Sequence, residues 1–184
     1  AMAIGRTFLE ALQKAARSLE TGRDGLHSLR SIADYRALRD DPNAGRDLVM
    51  DPPRMPRPPS QTPLEGQDLR EALLALSVIP SSDRLFHVAD ALREGVDPAL
   101  LSQQTGIDPW FVAQLVRLVE AERQVSPDSL EQAHTLRGLK RMGFSDRHLA
   151  ALANSSELKV RQARQRLGIV PVYRRVDTCG AEFA

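Results

Sequence analysis

The sequence predicts an all-α fold: a compact array of about six to eight short helices, with a proline-rich loop and an extended C-terminal segment. Three observations lead there. Aromatic residues make up only 4% of the 184 residues while Leu and Ala abound, which favours helix over sheet. From Asp68 to Gly168, capping residue, first-position proline and terminal glycine recur in step with a helical apolar period. At 42% hydrophobic residues, the chain carries enough apolar material for a real core.

The elements follow in order. Thr7 and Glu10 have the spacing of a capping box. Phe8, Leu9, Leu12, Ala15, Ala16 and Leu19 then recur at helical spacing, and Gly22 suits the left-handed turn that ends such a helix. Leu26, Leu29, Ile32 and Ala33 could form only a short helix. Pro42 to Pro63 holds seven of the twelve prolines, each removing a backbone donor and turning its predecessor away from helix, so this stretch reads as a long loop or linker without regular structure. Its Pro56 and Pro59 have PxxP spacing, although a tolerated insertion explains them more simply.

Leu69, Ala72, Leu73 and Leu76 then make a helix that Pro80 stops. Ser82 is placed to cap a helix carrying Leu85, Phe86, Ala89 and Leu92, closed by Gly95. Asp97-Pro98 and Asp108-Pro109 open the next two, the second with Trp110, Phe111, Leu115, Leu118 and Val119. Ser126-Pro127 opens a helix expected to run through Leu130, Ala133, Leu136 and Leu139 to Gly143, next to Phe144. Ser145 starts a short one, and Ser155 or Ser156 starts the last, ending at Gly168. Ile169 to Val176 is rich in β-branched residues and reads as extended. The candidate core or interface anchors are Trp110, Phe111, Leu115, Phe86 and Phe144. Phe111 shares a stripe with Leu115, Leu118 and Val119 and is assigned to the core; Trp110, beside Gln114 and Arg117, covers the core edge or reaches a partner.

No catalytic constellation is visible. His27, His87, His134 and His148 are expected to sit singly without metal-type spacing, and neither a GxGxxG nor a GxxxxGK loop occurs. The lone Cys179 excludes an internal disulfide framework, so a reducing cytoplasm is the expected setting. No charged flank and apolar run open the chain as a secretion signal would, and no apolar run approaches the roughly 20 residues that cross a bilayer. The net charge of +1 argues against a grossly basic nucleic-acid binder. A local alternative survives: Asp146 to Leu167 has helix-turn-helix spacing, and its second helix carries Lys159, Arg161, Arg164 and Arg166 against Glu157. Asp108 to Glu122, with three acids and one base, is a poorer surface for phosphates.

Five strings are more specific. MAIGRTFLEALQKAARSLE (Met2 to Glu20), DRLFHVADALREG (Asp83 to Gly95), TGIDPWFVAQLVRLVEAE (Thr105 to Glu122), LKRMGFSDRHLAALA (Leu139 to Ala153) and PVYRRVDTCGAEFA (Pro171 to Ala184) resemble, in family order, stretches of the large chain of carbamoyl phosphate synthetase. The sequence departs from that pattern in its proline-rich stretch, at Arg174 where Lys is usual, and at Gly180 where Ala is usual.

The resemblance implies the helical oligomerisation domain between the two ATP-grasp halves. Residues 1–22 would leave the first half, 23–66 would be the linker or insertion, 67–168 the helical domain and 169–184 the junction to the second half. It implies a parent ligase that makes carbamoyl phosphate from bicarbonate, glutamine-derived ammonia and ATP for arginine and pyrimidine synthesis. ATP and magnesium or manganese would bind in the flanking halves, and no catalytic, cofactor-binding or metal residue carries over to this chain. Implied partners are those halves, a second copy, and the glutamine amidotransferase small chain; no membrane is expected, and the helix-turn-helix nucleic-acid binder remains the alternative.

Overall fold

In the computed structural model, which describes residues 2–19, 22–28 and 66–172, capping decides where most helices begin. Nine helices and no strand occur among the described residues. They are α1 (Phe8–Ser18), α2 (Gly66–Val78), α3 (Arg84–Arg93), α4 (Pro98–Thr105), α5 (Pro109–Arg123), α6 (Pro127–Leu130), α7 (Ala133–Arg141), α8 (Asp146–Leu152) and α9 (Glu157–Arg166). Asp97, Asp108, Ser126, Ser145 and Ser156 each accept a hydrogen bond from a backbone N–H of the first turn, satisfying a donor that has no partner within the helix.

Three local expectations are corrected. The capping box of α1 is displaced by one residue: Thr7 accepts the Glu10 N–H at 3.2 Å, but the Glu10 carboxylate accepts from Arg6 N at 2.8 Å. Ser82 does not cap α3. Asp83 stands at the cap with an αR backbone (φ −97°, ψ −1°) and makes no cap bond; its carboxylate accepts from Arg23 Nη2 at 2.8 Å. The helix expected from Ser126 to Gly143 is two helices. Ser126 and Ser129 form a reciprocal box, and the Ser129 hydroxyl also bonds back to Ser126 O at 2.9 Å. The turn so closed stops at Leu130, and α7 restarts after Gln132.

The helices pack pairwise, α2 on α3 and α4, α5 on α3 and α4, α6 on α7, and α8 on α9, around one apolar cluster. Leu101, Leu118, Leu136 and Leu149 are fully enclosed in it. α5 is the central strut. Its buried face is Val112, Leu115, Leu118, Val119 and Glu122, spaced three or four residues apart or adjacent on one side. Arg84 ties the C-terminal ends of two helices, donating Nε to Ser77 O near the end of α2 at 2.8 Å and Nη2 to Thr105 O at the end of α4. A cation there also suits the negative end of each helix dipole.

α1 joins this body against α5. Gly143, with φ +92°, lies so close beneath α1 that a Cβ there would stand 2.8 Å from the Gln13 Cβ and 3.1 Å from the Glu10 Cα. Arg17 reaches down to Gly143 O at 2.6 Å. The stretch after Gly22, expected to open a linker, is packed as far as residue 28, with Leu26 fully buried. Residues 169–172 belong to no helix or strand, Arg164 donates to Ile169 O at 2.9 Å, and the rest of the stretch expected to be extended lies outside the described residues. The proline-rich stretch Pro42 to Pro63, most of the short helix proposed around Leu29, and Cys179 lie outside the described residues.

Candidate functional site

The most distinctive surface is aromatic. Pro109 at the first helical position and Asp108, whose carboxylate accepts the Trp110 N–H at 2.8 Å, fix the start of α5. The first turn therefore projects Trp110 and Phe111 toward Phe8 at the start of α1. The three rings form a closed triangle with centroids 5.4 Å (Phe8–Trp110), 5.2 Å (Phe8–Phe111) and 5.0 Å (Trp110–Phe111) apart. The Phe8–Trp110 and Trp110–Phe111 pairs are edge-to-face, which sets a positive ring edge on a negative ring face. Trp110 remains 53% exposed and Phe111 43%.

The assignment of Phe111 to the core is thereby corrected. The buried stripe of α5 starts one residue later, at Val112, and Phe111 caps it from outside. Leu115 (2% exposed), Phe86 (4%) and Phe144 (1%) are core residues. Arg117 lies on the flank beyond Trp110, donating to Gln114 Oε1 at 3.1 Å, so the rings have a polar border.

A second constellation, unseen in the sequence, lies inside. Arg93 of α3 donates Nε to Glu122 Oε2 at 2.7 Å and Nη2 to Glu122 Oε1 at 2.8 Å, a two-pronged pair with α5. It also donates Nη1 to Asp90 Oδ1 at 2.7 Å and Nη2 to the backbone oxygen of Leu26. The Leu26 N–H is taken by Gln13 Oε1 at 2.8 Å. Both backbone groups of one buried residue are thus satisfied by side chains from two different helices. Burial alone would push the Arg93 guanidinium down, but the Glu122 and Asp90 carboxylates outweigh it and hold Arg93 above its ordinary value.

His148 of α8 closes this interior. Its Nε2 lies 3.5 Å from Glu122 Oε1, its ring packs on Phe144, and its centroid is 6.1 Å from that of His27. The four histidines therefore do not all sit singly, since the ring of the half-buried His27 stands against that of the buried His148. Burial first, then the charges of Arg93, His27 and Arg17, push His148 down to about 3. Glu122 does not reverse this, since Arg93 already engages both its oxygens. His148 is neutral at physiological pH. The pattern carried one signal: Glu122 falls in register on the apolar stripe of α5, three residues after Val119.

The cationic helix of the helix-turn-helix alternative is largely neutralised. Arg161 pairs with Glu157 at 2.8 Å, Arg164 with Asp146 at 3.2 Å, and Arg166 with Glu131. Among the described residues no group of three or more His, Cys, Asp and Glu could hold a metal, and no helix is long and apolar enough to cross a membrane.

Residues 1–50 and 58–168 match the family described as "Carbamoyl-phosphate synthetase large chain, oligomerisation domain". The break in that match falls within the proline-rich stretch. The chain is 41% identical over 184 residues to the carbamoyl phosphate synthase large chain of Rhizobium meliloti, covering all of this chain and 13% of that protein. It is 40% identical over 185 residues to the one of Halomonas eurihalina, and 38% identical over 182 residues to the one of Gemmatimonas aurantiaca. These matches cover 100% and 99% of this chain and 14% of each relative. The chain thus spans only about a seventh of the length of the curated relatives it matches.

Proposed function

The chain belongs to the oligomerisation-domain family of the carbamoyl phosphate synthetase large chain, and from that premise we propose that it connects and self-associates, with the Phe8–Trp110–Phe111 face as its association surface. The observation that carries this is the exposed aromatic triangle: Trp110 and Phe111 each leave about half their surface in water although an apolar core lies directly beneath. Large aromatic side chains at a polar-bordered rim are the usual anchors of interfaces. The fold supports the connecting role, since α1 and residues 22–28 are tied into the array by buried polar contacts rather than hung from it.

In a longer polypeptide of this family, residues 1–22 and 169–184 would lead from and into the flanking ATP-grasp halves, with 23–66 as the linker or insertion and 67–168 as the helical domain. The chemistry would belong to those halves: ATP with magnesium or manganese, bicarbonate, and ammonia released from glutamine by an amidotransferase small chain, in the cytoplasm. The domain's part would be to hold their relative placement while an unstable intermediate passes between two sites.

Sedimentation of the 184-residue chain across a concentration series tests the reading. We expect reversible self-association that Trp110→Glu abolishes without lowering helix content. A wild-type chain that stays monomeric at high concentration, or a Trp110→Glu variant that associates as well as wild type, overturns it.

A further inference from the structure

The chain carries, outside its helices, a sequence whose chemistry fits the exposed aromatic face. Residues 52–59 read PPRMPRPP, with an unbroken three-residue period. Pro53, Pro56 and Pro59 recur on one line, Pro52, Met55 and Pro58 on a second, and Arg54 and Arg57 on a third. Polyproline II has three residues per turn, so in that conformation two adjacent edges are apolar and the third is basic. An insertion that is merely tolerated needs no such period. Residues 51–57 also fall in the break of the family match, so the pattern is not one that the match carries.

The Phe8–Trp110–Phe111 triangle suits an apolar edge of this kind. Proline-rich segments dock on exposed aromatic rings because their helix is formed before binding, which leaves little to order. Same-edge residues of polyproline II lie about 9 Å apart, so a triangle with sides of 5.0 to 5.4 Å takes one turn at a time. Three successive turns then offer it the same residue. Polyproline II also leaves its carbonyls free to accept, and the Trp110 indole N–H makes no hydrogen bond among the described residues.

From the period and the face together we infer that the face is filled by residues 52–59 of a second copy of this chain. The inference rests on the reading of that face as the association surface, and it names the element that meets it. The placement of the segment's two roots favours a second copy over the same chain. α2 returns through residues 79–83 to pack on α3, with Arg84 bonded to Ser77 O across that turn, so the two helices run antiparallel and Gly66 stands by the C-terminal end of α3. Arg123, ending α5, donates to Leu92 O and Arg93 O at that same end, and Arg93 holds Leu26 O, two residues before Ser28. Residues 28 and 66 therefore both stand by the end of α5 remote from Trp110. Two copies related by a twofold axis, with their α5 helices antiparallel, bring the segment root of each beside the Trp110 of the other. Two identical contacts then form. The second closes within the pair, at an effective concentration of about 1 mM, so two weak contacts make one firm association.

Trp110 is the only tryptophan, so its emission reports on the face directly. The test compares wild type, Trp110→Glu and the triple variant Pro53→Ala/Pro56→Ala/Pro59→Ala by sedimentation of the 184-residue chain, each alone and the two variants mixed in equal amounts. We expect the triple variant to keep its helix content and to stay monomeric where wild type pairs. We expect the mixture to associate where neither variant does alone, because one intact face then meets one intact segment. With one contact in place of two, that mixed pair should be weaker than wild type by about tenfold or more. A synthetic peptide of Asp51 to Leu64, added to wild type diluted to monomer, should change the Trp110 emission saturably. A triple variant that associates as well as wild type, while Trp110→Glu does not, overturns the segment and leaves the face standing. A mixture no better associated than its parts, or no response to peptide at about 1 mM, overturns the contact between them. Emission that differs between wild type and a folded triple variant at monomeric dilution puts the segment on its own chain's face and overturns the second copy. Unchanged association in Trp110→Glu overturns the face itself, a failure visible without reference to the prolines.

Discussion

Glu122 meets Arg93 with both carboxylate oxygens, at 2.7 and 2.8 Å, across two helices and beneath the buried Leu26. Such a pair is costly to break because either partner alone leaves a buried charge. Glu122→Gln should cost about 3–5 kcal/mol in urea unfolding, since one carboxylate oxygen becomes an amide that cannot accept from the guanidinium. The double variant Arg93→Met/Glu122→Met should lose less than Glu122→Gln alone, because two apolar side chains leave no orphaned charge. The reverse order would show that the pair contributes more than mutual neutralisation.

The buried His148 makes stability depend on mild acid. Its folded pKa, about 3, lies below the ordinary 6.5, so the unfolded chain binds a proton first. Stability is therefore complete above about 6.5 and declines as pH falls from there toward 3. Between pH 6.5 and 5, above the range where carboxylates titrate, the loss should reach about 2 kcal/mol. Urea melts across that interval should show the slope in wild type, and a much flatter one in His148→Gln.

Neighbouring residues on α5 should respond differently to truncation. Leu115, enclosed by the core, should cost about 2–5 kcal/mol as Leu115→Ala. Phe111, half in water, should cost about 1 kcal/mol as Phe111→Ala, because only part of its apolar area is removed from solvent. Thermal melts at low protein concentration, where association does not contribute, separate the two.

The seat of α1 on Gly143 can be tested against a matched control. Gly95→Ala meets nothing within 4 Å and bears only the strain of φ +83°, about 1–2 kcal/mol. Gly143→Ala bears similar strain at φ +92° and also drives its Cβ to 2.8 Å from Gln13 Cβ. It should be clearly the more destabilising by chemical denaturation, with extra exchange concentrated in α1.

What the sequence disclosed was local. Asp97, Asp108, Ser126, Ser145 and Ser156 cap as expected, because a cap and the amide it binds lie within three residues of each other. The family resemblance was equally legible, since it is itself a property of the string. Ser82 shows the limit: the cap position falls to Asp83 instead, whose carboxylate is engaged by Arg23, a partner sixty residues earlier that no window would include. Phe111 lies outside the core although its spacing fits the stripe, because a helical stripe has the same period whichever of two adjacent residues begins it. Only the packing of Val112 inward decides the phase. Nothing local marks Arg93, Asp90 and Gln13, for their burial depends on three separate segments converging.

The cap of α5 has a last consequence. Asp108 binds the amide of Trp110 itself, and Pro109 has only one backbone angle left to vary. Helix ends normally fray, and a ring carried there would sweep many orientations before finding a partner. Here the backbone beneath both rings is immobilised during folding, so an encounter needs little further ordering of the anchors. The aromatic pair is a stiff probe mounted on the least yielding end of the longest described helix.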